Sequence, residues 1–237
     1  MDGLLALPTL EVAAALLGWR LVRDDPDDPD NPAARRVGRI VELEAYIGES
    51  DLASHARFGL TRRNEVMYGP AGRAYVYLVY GMHDCLNIVT EPAGSPAALL
   101  VRAVEPLEGA PRMRLARARR AADRRRAEAV AAPETPRRSA SRPAVADHRL
   151  AAGPGLVCAA FDLDRGLTGH DLFDPDAPVR IEPPLAGDRR PIVVRGPRVG
   201  IAYAGAPWTE VPWRFAIAGN PALSMPPIEA GTGRRRG

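Results

Sequence analysis

Four runs of β-forming residues constrain this chain more than any other feature. Val37–Tyr46, Ala74–Val79, Asn87–Thr90 and Ala97–Val104 are rich in valine, isoleucine, leucine and tyrosine. Connections such as Pro92–Pro96 are too short for a helical crossover, so the sheet is expected to be antiparallel. The first run also carries an unusual load. Alternation puts Val37, Arg39, Val41, Leu43 and Ala45 on one face and Glu42, Glu44 and Tyr46 on the other. Two carboxylates beside a tyrosine fit a polar cleft better than a dry core. Taken with His55 and the tyrosines of Tyr75–Tyr80, the mixture suits a pocket that holds a flat aromatic ring and activates a water.

The rest of the chain reads more simply. Leu10–Val22 has helical spacing of leucine and alanine, with Thr9 as its cap. Asp24–Pro32 is an acidic, turn-rich surface loop, and Met67–Pro70 is a turn. Pro111–Ala132 has high helix propensity. Pro133–Pro143 is rich in proline, serine and arginine and is expected to be mobile. Leu163–Leu172 mixes a turn with a short helix, and Pro191–Ile201 and Arg214–Ala218 read as late strands. No internal repeat or linker stands out. The expectation is one domain over 1–237, with a basic insertion at about 112–148 and a disordered tail at about 225–237.

Composition excludes several classes. With 46% hydrophobic and 26% charged residues, the chain matches a globular protein, and no apolar run reaches the ~18 residues of a membrane span. The N-terminus lacks the basic start of a secretory signal, which makes the cytoplasm the expected location. Cys85 and Cys158 are expected to be free, buried thiols. The chain has no lysine, so no side-chain amine can form a Schiff base. The net charge is only +3, but arginines crowd Arg112–Arg142, opposed by Asp123, Glu128 and Glu134. Such a run favours an anionic partner such as nucleic acid, or is simply a solvated surface. No GxGxxG or Walker loop is present, and His83-Asp84-Cys85 alternate across a strand and do not converge. No cofactor and no metal are expected.

A longer pattern is more specific. Glu42-Leu43-Glu44-Ala45-Tyr46, Ser54-His55-Ala56-Arg57, Thr61-Arg62-Arg63-Asn64 and Tyr75 through Asn87 occur in that order. They are followed by Leu100 through Gly109, Gly153-Pro154-Gly155-Leu156 and Arg198-Val199-Gly200-Ile201. This series resembles the alkyladenine (3-methyladenine) DNA glycosylase family over roughly Leu4 to Ser224. The resemblance implies an α+β fold, a curved antiparallel sheet flanked by helices. It also implies a monofunctional enzyme that flips alkylated purines out of duplex DNA and hydrolyses the N-glycosidic bond, leaving an abasic site in base excision repair.

The resemblance assigns residues as well. Glu44 matches the carboxylate that deprotonates the attacking water, and Arg102 an arginine that helps hold it. Tyr46, His55 and Tyr77 match the walls of the base pocket. Asn87 matches a residue that crowds the exocyclic amine of guanine. Tyr80 matches the wedge that enters the duplex, with Met82 beside it. Each has a plainer reading: Glu44 as a surface glutamate, Tyr77 and His55 as core residues, Asn87 as a turn residue, and Arg102 as the partner of Glu105 or another acid. The partner implied is double-stranded DNA with damaged purines, bound by a monomer. Three rival functions stay open: a non-cutting binder of damaged DNA, a nucleoside hydrolase and an RNA-binding protein. The segment Ala110–Ala151 is longer and more basic than the family pattern, and the loop between Asn87 and Arg102 is slightly expanded.

Overall fold

A computed structural model gives the fold and describes residues 2–5, 7–25, 31, 34–79, 81–131 and 145–224. Eight strands form one antiparallel sheet: β1 (Arg20–Arg23), β2 (Arg36–Ile47), β3 (Ala74–Val79), β4 (His83–Thr90), β5 (Ala97–Glu108), β6 (Val179–Glu182), β7 (Val193–Gly196) and β8 (Arg214–Ile217). The order is β3-β4-β5-β2-β1-β6, with β8 pairing β2 and β7. Helices α1 (Asp2–Leu5), α2 (Thr9–Leu16), α3 (Ala110–Ala131) and α4 (Pro154–Phe161) flank it. The fold is α+β, as the sequence implied.

Strand β2 organises the sheet. Along one edge it pairs with β5 over nearly its whole length. The other edge is shared: Arg36–Arg39 pair with β1, and Glu42–Glu44 with β8. The register against β5 shifts between Ile40 and Glu42 and again between Glu42 and Leu43. A bulge of this kind re-aims side chains. Ile40 and Leu43 both enter the main core, whereas Val41 packs with Ala103, Ala216, Ala222 and Leu223 in a second cluster. The expected single face of Val37, Arg39, Val41, Leu43 and Ala45 is therefore broken at Val41, because strict alternation does not survive a bulge.

The expected helix Leu10–Val22 is shorter. Helix α2 ends at Leu16, Leu17 turns to extended backbone, and Leu21 and Val22 lie in β1 between β2 and β6. Two buried apolar residues in a strand covered on both sides fit helical spacing equally well, which is why periodicity alone misassigned them. Thr9 does not cap α2. Pro8 precedes the helix, and the Thr9 hydroxyl donates to Glu91 at 2.7 Å. Met67–Pro70 falls on a 3-10 turn at Glu65–Tyr68. Of Pro191–Ile201 only Val193–Gly196 is strand. Strand β6 and helix α4 carried no expectation of their own. Pro154 begins α4 where its missing N–H is harmless, and Asp162 ends it in a left-handed conformation.

Helix α3 follows β5 directly. Met113 and Ala116 are buried while most of its arginines reach solvent. Several arginines tie back to the body: Arg112 to Asp25 at 3.2 Å, Arg119 to Asp162, and Arg120 to Asp162 at 3.1 Å and Asp84 at 3.3 Å. The stretch expected to be mobile, 133–143, and the expected tail, 225–237, lie outside the described residues, as does most of the acidic loop 24–32. Both cysteines are free and buried.

Gly109 makes the turn from β5 into α3 at φ +76°, and a Cβ there would collide with the Arg35 carbonyl oxygen. Gly94 has a similar φ of +94° in open space. Left-handed backbone alone costs an alanine about 1–2 kcal/mol. Gly94→Ala is expected to show about that loss in urea unfolding, and Gly109→Ala about 3 kcal/mol or more, since close approach adds overpacking. Equal losses would mean that the contact with Arg35 relaxes freely.

Candidate active site

A line of paired residues crosses four strands. Tyr75 on β3 faces Asn87 on β4, Asn87 faces Leu100 on β5, and Leu100 faces Glu44 on β2. Paired residues share a sheet face, as do residues two apart on a strand. Tyr77, Cys85, Arg102 and Tyr46 therefore join the same face. Over it lies a cavity of about 400 Å³ lined by Tyr46, His55, Tyr75, Tyr77, Asn87 and Arg102, among others. That is within the size range of small-molecule sites.

On the aromatic side the rings are uncharged, with the Arg63 guanidinium 5.9 Å from the Tyr77 centroid. His55 sits on a short 3-10 helix capped by the Ser54 hydroxyl. Its Nδ1 lies 2.8 Å from the Tyr75 hydroxyl, and its ring meets Tyr77 edge-on, with centroids 4.4 Å apart. Burial, helped by the charges of Arg63 and Arg57, pulls His55 down to about 4, so the imidazole is uncharged at neutral pH. Burial also holds the Tyr75 hydroxyl up at about 12 and the Cys85 thiol at about 12. Asn87 gives its Nδ2 protons to the Tyr75 and Cys85 carbonyls at 3.0 and 3.3 Å. Its carbonyl oxygen is what it has left to offer a ligand.

The other side is charged. Glu44 Oε1 accepts from the Val199 amide at 2.7 Å; Oε2 accepts from the Tyr46 hydroxyl at 3.0 Å and from Arg102 Nη1 at 3.2 Å. Glu42 accepts from Arg102 Nε at 3.1 Å, Arg214 Nε at 2.7 Å, the Ser224 amide at 2.7 Å and the Ser224 hydroxyl at 2.9 Å. Both carboxylates have no exposed surface. Glu44 itself does not line the cavity, but all three of its partners do. Burial pushes Glu44 above the ordinary glutamate range. Arg102, the Val199 amide and Tyr46 oppose that, and Glu42 adds to it. Burial works against the Arg102 charge, but Glu44 and Glu42 outweigh it and hold Arg102 above its usual value.

Asp51 and Arg198 brace this arrangement, and the sequence gave neither an individual role. They form a fully buried bidentate pair at 2.6 and 2.9 Å. Arg198 also donates to the Ala45 carbonyl at 2.9 Å and stacks on Tyr46 and Trp213 at 4.8 and 5.0 Å. It thereby fixes the segment that brings the Val199 amide to Glu44. Only the run Arg198-Val199-Gly200-Ile201 hinted at this. Arg214 and Ser224, which hold Glu42, had no local signal.

The structure thus brings Glu44, Arg102, Tyr46, His55, Tyr77 and Asn87 to one place. Arg102 pairs with the two glutamates; Glu105 lies instead 3.6 Å from Arg39 and accepts from Asn220 at 3.0 Å. Met82 is 52% exposed at the β3–β4 turn and lines a neighbouring groove, not this cavity. Tyr80 lies outside the described residues. Among the described residues no group of three or more histidines, cysteines, aspartates or glutamates could hold a metal, and no helix is long and apolar enough to cross a membrane.

Comparison with known proteins converges on one family. Residues 4–221 match the family model described as methylpurine-DNA glycosylase (MPG). The chain is 42% identical over 235 residues to a protein of Anaeromyxobacter dehalogenans strain 2CP-1, covering 97% of this chain and 87% of the relative. It is 43% identical to one from Methanocella arvoryzae (92% and 91% covered) and 42% to one from Myxococcus xanthus (94% and 91% covered). All three carry the name "Putative 3-methyladenine DNA glycosylase".

Removing one half of a buried ion pair leaves an uncompensated charge, at a cost of about 3–5 kcal/mol. Asp51→Ala is therefore expected to lose roughly that much stability in chemical unfolding. A loss below about 1 kcal/mol would show that solvent readily reaches Arg198.

Proposed function

Because the chain belongs to the methylpurine-DNA glycosylase family, we propose that it is a DNA-3-methyladenine glycosylase acting in base excision repair, hydrolysing the N-glycosidic bond of alkylated purines in duplex DNA. The observation that supports this reading is a cavity walled by aromatic side chains with the buried carboxylate of Glu44 directly behind it, held by three donors that all line that cavity. A purine swung out of the stack fits between the faces of Tyr46, His55 and Tyr77. Asn87 crowds the exocyclic amine of an undamaged guanine. Tyr80, with Met82 beside it, fills the gap left in the duplex.

The reaction needs little more. Alkylation leaves the purine positively charged and a good leaving group. A water held by Arg102 gives its proton to Glu44 and attacks the anomeric carbon. The carbon–nitrogen bond breaks, its electron pair goes to the purine, and the base departs neutral. The carboxylate charge also stabilises the oxocarbenium-like transition state. A base with a raised pKa takes the proton more readily, so burial of Glu44 serves the step. With no lysine side chain to form an imine, the product is an abasic site in an uncut strand. The protein acts as a monomer.

Glu44→Gln keeps the shape and removes the base. Binding to alkylated duplex is expected to persist while base release falls at least about 100-fold. Unchanged release rejects Glu44 as the base. Preference of the wild type for free nucleosides, or equal competition by RNA, would favour a rival function.

The pH profile offers a separate check. The rate should rise with pH as Glu44 loses its proton, with a midpoint above the ~4.3 of an ordinary glutamate. His55, already neutral above about 4, adds no limb there. A limb at or below the ordinary glutamate value, or one that persists in Glu44→Gln, would assign it to another group.

A further inference from the structure

A second depression, a groove of about 800 Å³, lies between α3 and the β3–β4 turn. Arg114, Arg117, Arg120 and Arg124 of α3 form one wall, and Asp84 is the only acidic residue among its described lining. Arg114 is offset by Asp147, and Arg120 by Asp84 and Asp162. Arg117 donates to the carbonyl oxygens of Arg149 and Leu150 at 3.3 and 2.8 Å. Arg124 is exposed, and its field reaches across the groove. After burial, it is the largest influence holding His83 below the ordinary histidine range.

The groove and the candidate active site share a partition. Leu78 and Val79 line the base cavity, while Met82 and His83, across the same turn, line the groove. Pro154 lines the cavity, while Gly155 and Leu156, next along α4, line the groove. The contact at the partition is close: a Cβ on Gly155 would lie 2.9 Å from the Cβ of His83. A strand whose nucleotide enters the cavity therefore has its neighbouring nucleotides beside the groove.

We infer that this groove seats the phosphodiester backbone flanking the extruded nucleotide, with Arg124 as its phosphate contact. The inference rests on the glycosylase reading above and adds to it a second DNA-binding surface, built from the arginine-rich helix. It gives the basic segment a place in the complex: α3 grips the strand to one side of the lesion while the cavity holds the base.

The test measures dissociation constants for duplex carrying a single alkylated purine, from 50 to 200 mM salt. Each phosphate contact contributes about −0.9 to the slope of log K against log salt. Arg124→Ala is expected to make that slope shallower by about one, so its deficit against the wild type shrinks roughly three- to four-fold across the range. Arg125→Ala, on an exposed arginine outside the groove, is expected to keep the wild-type slope. Two duplexes, each cut short on one side of the lesion, complete the test. The Arg124→Ala deficit should vanish on one and persist on the other. An unchanged slope for Arg124→Ala overturns the inference. So do equal changes for both variants, or a deficit indifferent to which side is cut. Base release by the wild type is scored in parallel, so that failure of the glycosylase reading is told apart from failure of the groove.

Discussion

Two carboxylates without access to solvent, two residues apart on one strand, set the conditions that the rest of this structure meets. Withdrawing a carboxylate from water costs several kcal/mol even after the protein relaxes around it. Glu42 and Glu44 are tolerated because two buried arginines, two backbone amides and two hydroxyls point at them. None of the cationic or amide partners is local. Arg102 comes from β5, Val199 from the loop after β7, Arg214 from β8 and Ser224 from beyond it. The carboxylates are compensated only when all these segments have docked. Assembly of the site and completion of the fold are one event.

The two glutamates divide the work. Glu42 receives both arginines and both Ser224 donors, and it sits behind the site as an anchor for Arg102. Glu44 receives fewer donors, and every one of them borders the cavity. A carboxylate held by groups that a ligand can touch responds to what enters the cavity. A carboxylate enclosed like Glu42 does not. Sharing one edge of β2 between β1 and β8 brings Arg214 to Glu42.

What was legible in the sequence follows the range of the interaction that carried it. The β-forming composition of Ala74–Val79 and Ala97–Val104 marked strands that the sheet contains, and the Glu-x-Glu-x-Tyr run marked the strand that bears the carboxylates. These are signals carried within one element. The bulge at Ile40–Leu43 has no signature in a single strand, because it is defined by what β5 places opposite. The same holds for Arg214, Ser224 and the Asp51–Arg198 pair. Their importance comes from neighbours 147 to 182 residues away. Leu21 and Val22 were misread for a related reason: two apolar residues satisfy helix and buried strand alike until β6 is seen beside them.

Electrical neutrality ties the pocket to the substrate proposed for it. His55 is uncharged above about 4, and Tyr75 stays protonated up to about 12. Near neutral pH the aromatic walls therefore carry no charge of their own, only the negative faces of their rings. Such faces attract a cation. An alkylated purine, the substrate proposed above, carries positive charge on its ring and an undamaged purine does not, so ring faces attract it more, while Arg63, 5.9 Å from the Tyr77 centroid, works against that attraction. A histidine that titrated near 6.5 would erode this preference by placing a like charge against the ring of the lesion. Burial holds His55 neutral and burial raises Glu44, so in the proposed reaction the recognition of the base and the basicity of the carboxylate draw on one physical cause.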